Sequence, residues 1–523
     1  YDLNNRQTKA TNAEGHAVSY EYDALGNRLM ITDAKGQSSN YVYDALNRNI
    51  KVIDAMSFET HFEYDGVGNR LAIMDKNGNQ VKYQYDPENQ LISTVQEMEN
   101  GQDRITEFSY DVRGNQVQMK TASGTDNEEI TLFSYDAQNN LRSVEDAKGG
   151  ITSQNYDRLY NQISSTDANG NTTTTAFDAL NRAVMVTDAL GEKTHISYDA
   201  VGNQLSITDA NNHATQYVYD DLNRRITSID AHGVETQYVY DKVNNQTQIS
   251  YANGTGEQVS ESFEYYEDGQ LKARTDGSGA RTEYVYDKNN NTTLMTDPEG
   301  HTTQYTLDEN NRVTSITDAE GGVTFYEYDA NGNRIQVTDP EGHKVSSFYN
   351  AANETTLKID AEGYATSYSY DENGNQVSST QHMVAIEVPV GDALNTLPSI
   401  VESDLDQTTH YQYDELNRLV GMIDAEGFTT EYQYDAVGNR SSVIQQLNKE
   451  TGEISQTFSF YDATNRLTQT VSGEGLLTTF EYDAVGNRSA VNVYETPVTV
   501  VNGMQPVAVE GDRVRTTTYQ YDE

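Results

Sequence analysis

Apolar and polar residues alternate one by one through short stretches of this chain, and turn signals separate each stretch from the next. In Arg28-Leu29-Met30-Ile31-Thr32, Leu29 and Ile31 share a face; in Ser39-Asn40-Tyr41-Val42-Tyr43, Tyr41 and Tyr43 do. Period-two alternation predicts half-buried strands. The pair of aromatics two apart recurs at Phe62/Tyr64, Tyr217/Tyr219, Tyr284/Tyr286, Tyr326/Tyr328 and Tyr432/Tyr434. No stretch carries apolar residues at helical spacing, so helix content is expected to be very low. The separators are Asp-x-x-Gly segments such as Asp23-Ala24-Leu25-Gly26 and Asp33-Ala34-Lys35-Gly36. Asp caps the first place of a type I turn with its side chain, and Gly supplies the positive φ that a bulged hairpin demands. Asp297-Pro298-Glu299-Gly300 and Asp339-Pro340-Glu341-Gly342 strengthen that assignment, because proline pre-sets φ at the second place.

These elements repeat. A tyrosine marking each unit, exemplified by Tyr22, Tyr43, Tyr219, Tyr286, Tyr328 and Tyr434, or a substitute such as Phe177 or Leu307, falls at 23 positions; 16 of the 22 intervals are 21 residues long. Gly stands fourteen residues after it in 16 of the 22 intervals; Asn212 replaces it once, and Ser57 stands as an exception. Repetition at one fixed period overrides the several-domain expectation that 523 residues would otherwise carry. Residues 1–523 are expected to form one continuous array, a fragment of a longer chain, since it opens at Tyr1 and closes at Asp522-Glu523 inside repeats. Segments 380–409, 441–457 and 489–518 are insertions; the first holds the apolar stretch MVAIEVPVGDALNTLPSIV, and Val491–Val514 alternates like a lengthened hairpin. They either decorate turns or plug, cap or bind something.

Two architectures fit a strand–turn–strand–turn repeat: an antiparallel ribbon of hairpins, which the turn chemistry favours, or a parallel β-helix rod. At ~4.8 Å per strand, the array makes a ribbon ~220 Å long. Strand twist coils so long a sheet and brings its edges together, giving a spiral wall around an interior. One face carries the Leu, Ile and Tyr rows and the other Thr, Gln, Ser and Asn, so neither is apolar enough to collapse as a sandwich does.

Composition agrees with a thin sheet: 35% of residues are hydrophobic, and that class holds 38 Tyr and no Trp. Lys and Arg total 35 against 81 Asp and Glu, a net charge of −46, which repels nucleic acid and anionic lipid. Cysteine is absent, which removes disulfides, thiolate metal sites and cysteine nucleophiles. No run approaches the ~18 apolar residues of a membrane span.

The segments YDALGNRL, YDAVGNRS and YDANGNRI, set among TDAxG and TDPEG turns, closely resemble the YD-repeat or Rhs-repeat family of Rhs toxins, Tc toxin B and C components, wall-associated proteins and teneurins. The resemblance covers the whole chain. It implies an all-β hairpin ribbon spiralling into a hollow shell, which in the toxin branches encloses a C-terminal toxic domain. It also implies a closing region where an aspartyl autoprotease releases the cargo, but no such region is found here. Asp297 and Asp339 lie in ordinary second turns and receive no protease role.

Little else in the chain suggests chemistry. Of nine histidines, His16, His213, His301 and His343 lie fifteen residues after the repeat position and read as surface residues, able at most to trap a metal adventitiously. Asp-x-Asn-Gly-Asn segments at Asp75, Asp167, Asp329 and Asp371 space oxygens by two and make weak calcium candidates, although Gly is misplaced for an EF-hand and turn capping explains the residues better. Arg28, Arg70, Arg334, Arg440 and Arg488 flank the first turn, ready to pair with turn aspartates or lie on tyrosine faces. No nucleophile elbow, phosphate loop or carboxylate pocket stands apart from the turns, so no enzyme is expected. The expected role is a structural segment of a secreted shell whose partner is an enclosed cargo or another subunit. The alternative is a cell-surface adhesion filament that touches glycans or a host surface.

Overall fold

The computed structural model describes residues 1–501 and 503–521; the chain end at Asp522-Glu523, and Asn502 within the third insertion, lie outside the described residues. The protein is all-β. Among the described residues its 44 strands belong to one sheet, and the sole helical element is a 3-10 turn at Gly391–Asn395. Two compact units divide the chain. One comprises residues 1–107, 238–372 and 379–407, the other 108–237, 373–378 and 408–523.

Within each unit successive strands pair antiparallel, as in Ser19↔Thr32, Met30↔Asn40 and Asn40↔Ile53 of the first and Ser153↔Thr166 and Ser164↔Thr174 of the second. The parallel β-helix is thereby excluded. The Asp-x-x-Gly segments are the hairpin ends. Asp23 N–H donates to Asn27 O at 3.0 Å and Gly26 N–H to Asp23 O at 3.3 Å, while Asp33 and Gly36 repeat the pattern at 2.8 and 3.1 Å. Asp23 Oδ1 accepts the amides of Leu25 and Asn27 at 2.9 and 2.8 Å, so the side chain satisfies donors that the turn would leave unpaired. A bulge between Glu21 and Tyr22 absorbs the extra residue.

The left-handed position is where the sequence reading needs amendment. Ser57 breaks the glycine register yet holds φ of +68°, so it keeps the same turn rather than departing from it. At the first turn Gly26-type residues are the minority: Asn holds the left-handed place in 12 repeats, from Asn5 to Asn465, Gly in nine, and Tyr160 in one. Asparagine tolerates that region where β-branched residues do not. Gly300 sits at φ +85° with open space where a Cβ would stand, so Gly300→Val tests conformation alone. It should cost about 1–3 kcal/mol, read as faster amide exchange in strands Thr292–Thr296 and Thr302–Leu307. Unchanged exchange would mean that the turn is misassigned.

Most strand side chains are half-buried. One cluster of buried apolar residues, Phe348, Leu357, Ile359 and Ala365, lies in the first unit beneath the first insertion, and Val471, Leu477 and Ala490 are buried in the second. The segment 441–457 is a longer hairpin, paired from Ser442↔Phe458 to Gln446↔Ile454. The segment 489–518 keeps paired ends, Ala490↔Thr518 to Tyr494↔Val514, around a loop that holds no strand among the described residues.

Candidate functional site

Three polar systems organise the ribbon, beginning with the repeat tyrosine itself. Its hydroxyl donates to the carbonyl fifteen residues back: Tyr22 to Gln7, just before the first strand, and Tyr43 to Arg28, Tyr219 to Gln204, Tyr286 to Leu271, Tyr328 to Val313 and Tyr434 to Leu419, each the first residue of the neighbouring strand, all at 2.8–3.0 Å. That carbonyl lies at a strand end where the ladder stops, and each such bond contributes about 1 kcal/mol. Burial comes first among the causes that push the hydroxyl pKa of Tyr43, Tyr219, Tyr286, Tyr328 and Tyr434 up. Phe177 and Leu307 lack the hydroxyl.

The second system ties many of the first turns to the following one through two chemistries. Arg28, Arg70, Arg334, Arg440 and Arg488 lie over the aromatic rings of Tyr20, Phe62, Tyr326, Tyr432 and Phe480, 5.0–5.7 Å from the centroids. The arginines that pair with turn aspartates are a different set, one residue earlier in their repeats. Arg48, Arg182, Arg312, Arg418 and Arg466 reach Asp44, Asp178, Asp308, Asp414 and Asp462 at 2.6–2.7 Å. The same guanidinium groups donate forward to the backbone of the following repeat's Asp, as Arg182 does to Asp199 O and Arg312 to Asp329 O, both at 2.8 Å. They also cover that repeat's tyrosine, as Arg312 covers Tyr328 at 4.8 Å. Where the next interval carries Asn in place of Arg, amides make the tie: Asn27, Asn69, Asn203 and Asn333 donate to the left-handed Asn47, Asn89, Asn223 and Asn353 at 2.7–2.9 Å. Water and salt screen such pairs, so the row sets register more than stability.

The third system is a seam between two passes of the ribbon within one unit. In the first unit, second turns of residues 12–78 meet first turns of residues 266–332. Asn12 donates to Asp268 at 2.9 Å, Asn310 to Asp54 at 2.9 Å and Asn331 to Asp75 at 2.7 Å, while Asn77 returns a bond to Asp329 at 2.8 Å. Asn289 also donates to Asp33, Lys35 pairs with Asp287 at 3.0 Å, and Arg104 grips Glu354 with two bonds of 2.9 and 2.7 Å. In the second unit Asn169 reaches Asp435 at 3.0 Å and Lys148 reaches Glu415 at 2.9 Å. Here the calcium candidates find their place. Asp75 and Asp329 accept amides of their own turns through Oδ1, at 2.8–3.0 Å, and seam asparagines through Oδ2. Asp167 caps its turn likewise, accepting from Asn169 N–H and Asn171 N–H. Asp371 lends its carbonyl to Arg104 at 3.2 Å. In all four motifs the third-place asparagine reaches a neighbouring pass, Asn373 doing so to Asn127 O and Glu129 at 2.9 and 3.1 Å. The carboxylates of Asp75, Asp167 and Asp329 therefore face N–H donors.

A strap completes the site in the first unit. Residues 382–406 lie on the sheet face that carries Gln336, Ser346, Phe348, Leu357, Ile359 and Ala365, with Ile386, Val388 and Ile400 packed on the apolar part. Backbone bonds dock it: His382 N–H to Ala365 O at 2.8 Å and Ile386 N–H to Gly363 O at 2.9 Å. Gln336, 1% exposed, donates to Pro389 O at 2.8 Å. A Cβ on Gly363 would meet the strap backbone at 2.2 Å, so glycine is required for this approach. The strap's ends close on His382, 6% exposed, whose Nδ1 faces Asp406 and whose Nε2 faces Ser367, both at 2.9 Å. Asp406 also accepts Met383 N–H at 2.9 Å, the first of the causes that hold its carboxyl below the usual range. Ser, His and Asp stand in the order of an acyl-transfer relay. Ser367, however, lies in mid-strand, paired opposite Leu357, rather than on a projecting elbow, so the arrangement latches the strap. In the second unit Val498 N–H docks on Gly475 O at 2.8 Å, in the manner of Ile386 on Gly363.

The RHS Repeat family matches residues 1–38, 265–302, 286–323, 308–344, 349–381, 413–445 and 461–493, and Teneurin YD-shell matches residues 69–254. No curated protein sequence matches the chain. Among solved structures it is similar to the TcdB2-TccC3-Cdc42 crystal structure, at 12% identity and TM-score 0.59 over 94% of this chain and 31% of that one. It is similar to a Tc holotoxin pore from Photorhabdus luminescens with a TccC3 mutation, at 12% identity and TM-score 0.64 over 93% and 32%. TcdB2-TccC3-TEV follows at 11% identity and TM-score 0.54 over 99% and 40%. At such identities the likeness concerns the fold, and the chain spans about a third of those chains.

Proposed function

The chain belongs to the YD-repeat, or Rhs-repeat, family, and from that premise we propose that it is one stretch of the wall of a secreted shell that encloses a polypeptide cargo. Its role is structural rather than catalytic, and its partners are that cargo or other subunits of the parent protein. The observation that supports this reading is the seam: Asn310 meets Asp54 across 256 residues. The ribbon of the first unit thus comes back beside itself, turn against turn, as the wall of a shell requires and as an extended filament does not. The wall's polar amide and hydroxyl face, crossed by aromatic rows on the other, suits a cargo held without tight grip.

The test is a density map or small-angle scattering profile of the parent protein. A shell with a lumen of roughly 20–30 Å is expected. A solid rod one coil thick would overturn encapsulation and leave the adhesion filament.

A further inference from the structure

Four second turns carry histidine at the fifth place, and their side chains differ in a graded way. Asp297-Pro298-Glu299-Gly300-His301 and Asp339-Pro340-Glu341-Gly342-His343 hold carboxylate, carboxylate and imidazole at the first, third and fifth places. In Asp209-Ala210-Asn211-Asn212-His213 an amide replaces the middle carboxylate, and in Asn12-Ala13-Glu14-Gly15-His16 an amide replaces the first. A type I turn followed by a left-handed residue points these three places to one side. In both complete sets the donor atoms lie within 4.8 Å of one another.

We propose that each of these two turns, Asp297/Glu299/His301 and Asp339/Glu341/His343, is a binding site for a divalent first-row transition metal such as zinc. Imidazole nitrogen selects such ions over magnesium and calcium, which prefer oxygen alone. The geometry supports a chelate. His301 Nδ1 stands 3.1 Å from Asp297 Oδ2, and His343 Nδ1 stands 2.9 Å from Asp339 Oδ2. Two ligands each about 2.1 Å from one metal are about 3.0 Å apart at right angles and about 3.4 Å apart at the tetrahedral angle, so the ion enters between them with a change of tautomer and an opening of a few tenths of an ångström. The turn holds its shape without those atoms. Asp297 Oδ1 takes the amides of Glu299 and His301 at 3.0 and 2.8 Å, and Asp339 Oδ1 takes that of His343 at 2.8 Å. Oδ2 is thus left for the metal, and Pro298 and Pro340 stiffen the loop. The glutamate supplies the third ligand and water the rest. Both histidines are more than 60% exposed, so the sites are open to solvent. The turns are two repeats apart, roughly 19 Å along the ribbon, which makes them two mononuclear sites rather than one shared site.

The test is calorimetric titration of the whole chain with Zn2+ alone, in about 150 mM salt to screen the acidic surface, repeated with excess Ca2+ present. Two equivalents per chain are expected. His301→Ala or His343→Ala should each remove one, and the double variant both. Asp297→Asn keeps the turn cap but should weaken its own site at least tenfold and leave the other unchanged. Circular dichroism of each variant distinguishes a lost ligand from a lost fold. Stoichiometry unchanged by the two histidine substitutions, or binding abolished by Ca2+, would overturn the proposal.

Discussion

Acidification from about pH 6 to about pH 2 will unfold this protein, with the loss concentrated below about pH 4. The cause is the row of turn aspartates. The backbone amides of Arg6, Arg48, Arg182 and Arg224 are the leading causes that hold Asp2, Asp44, Asp178 and Asp220 below the usual range. The side-chain amides of Asn115, Asn140 and Asn161 lead for Asp111, Asp136 and Asp157. A carboxyl whose folded pKa lies below its unfolded value binds fewer protons in the folded state. Its contribution is therefore present above the unfolded value, near 4, and is lost as pH falls through the lower folded value. Each turn is exposed and contributes little; the array repeats the same contribution along its length. His343 has the opposite sign. Its bond to Asp339 raises it, so its contribution is complete at low pH and fades as pH rises through the folded value. The net charge of −46 also opposes the acid loss, because protonation first relieves self-repulsion. The expected melting curve is accordingly flat or slightly rising from about pH 6 to about 4.5, then steeply falling. Thermal melts at several pH values check it, and a midpoint unchanged down to about pH 2.5 would refute the role given to the turn caps.

Ile359→Ala carries the second large effect, about 2–5 kcal/mol lost locally. Ile359 is fully buried between the sheet and the strap, against Ile386, Val388 and Ile400. Truncation removes transfer free energy and leaves a cavity that a latched strap does not collapse to fill. Because each 1.4 kcal/mol is tenfold in population, the strap should open at least tenfold more often. Amide exchange of His382 and Ile386 and protease cleavage within residues 383–405 report this directly. Leu205→Ala is the control, since Leu205 is 41% exposed on a strand without such a cover. Equal effects from the two substitutions would show that the strap adds no burial of consequence.

The strands, their antiparallel pairing and their hairpin ends are legible in the sequence because each depends on residues within about ten positions of one another. Period-two alternation and the Asp-capped turn are local, and Gly36 or Gly342 declares its turn without knowledge of the rest. Asparagine at the first turn is an equally local signal that the Asp-x-x-Gly pattern hides, since Asn47 and Asn223 hold the same left-handed place as Gly26. The paired arginines are hidden for a similar reason. Arg48 and Arg312 stand one residue before the position of Arg28 and Arg334, and that shift decides whether the guanidinium meets carboxylate or ring. The strap leaves a signal too. Leu357 and Ile359 sit one residue out of phase with Leu29 and Ile31, so apolar side chains appear on a face that elsewhere is polar. Set beside the apolar insertion at 380–401, that phase shift marks the face which the insertion covers.

An all-β ribbon of hairpins, the tyrosine and turn rows along it and the family to which it belongs are readable from the residues, because they follow from local geometry repeated. That Asn331 meets Asp75, that the carboxylates of Asp75, Asp167 and Asp329 face amide donors, and that His382 latches Asp406 to Ser367 come from the folded chain alone. The seam contacts join residues some 250 positions apart, and the latch depends on where an irregular strap settles on the sheet, so no single repeat encodes either.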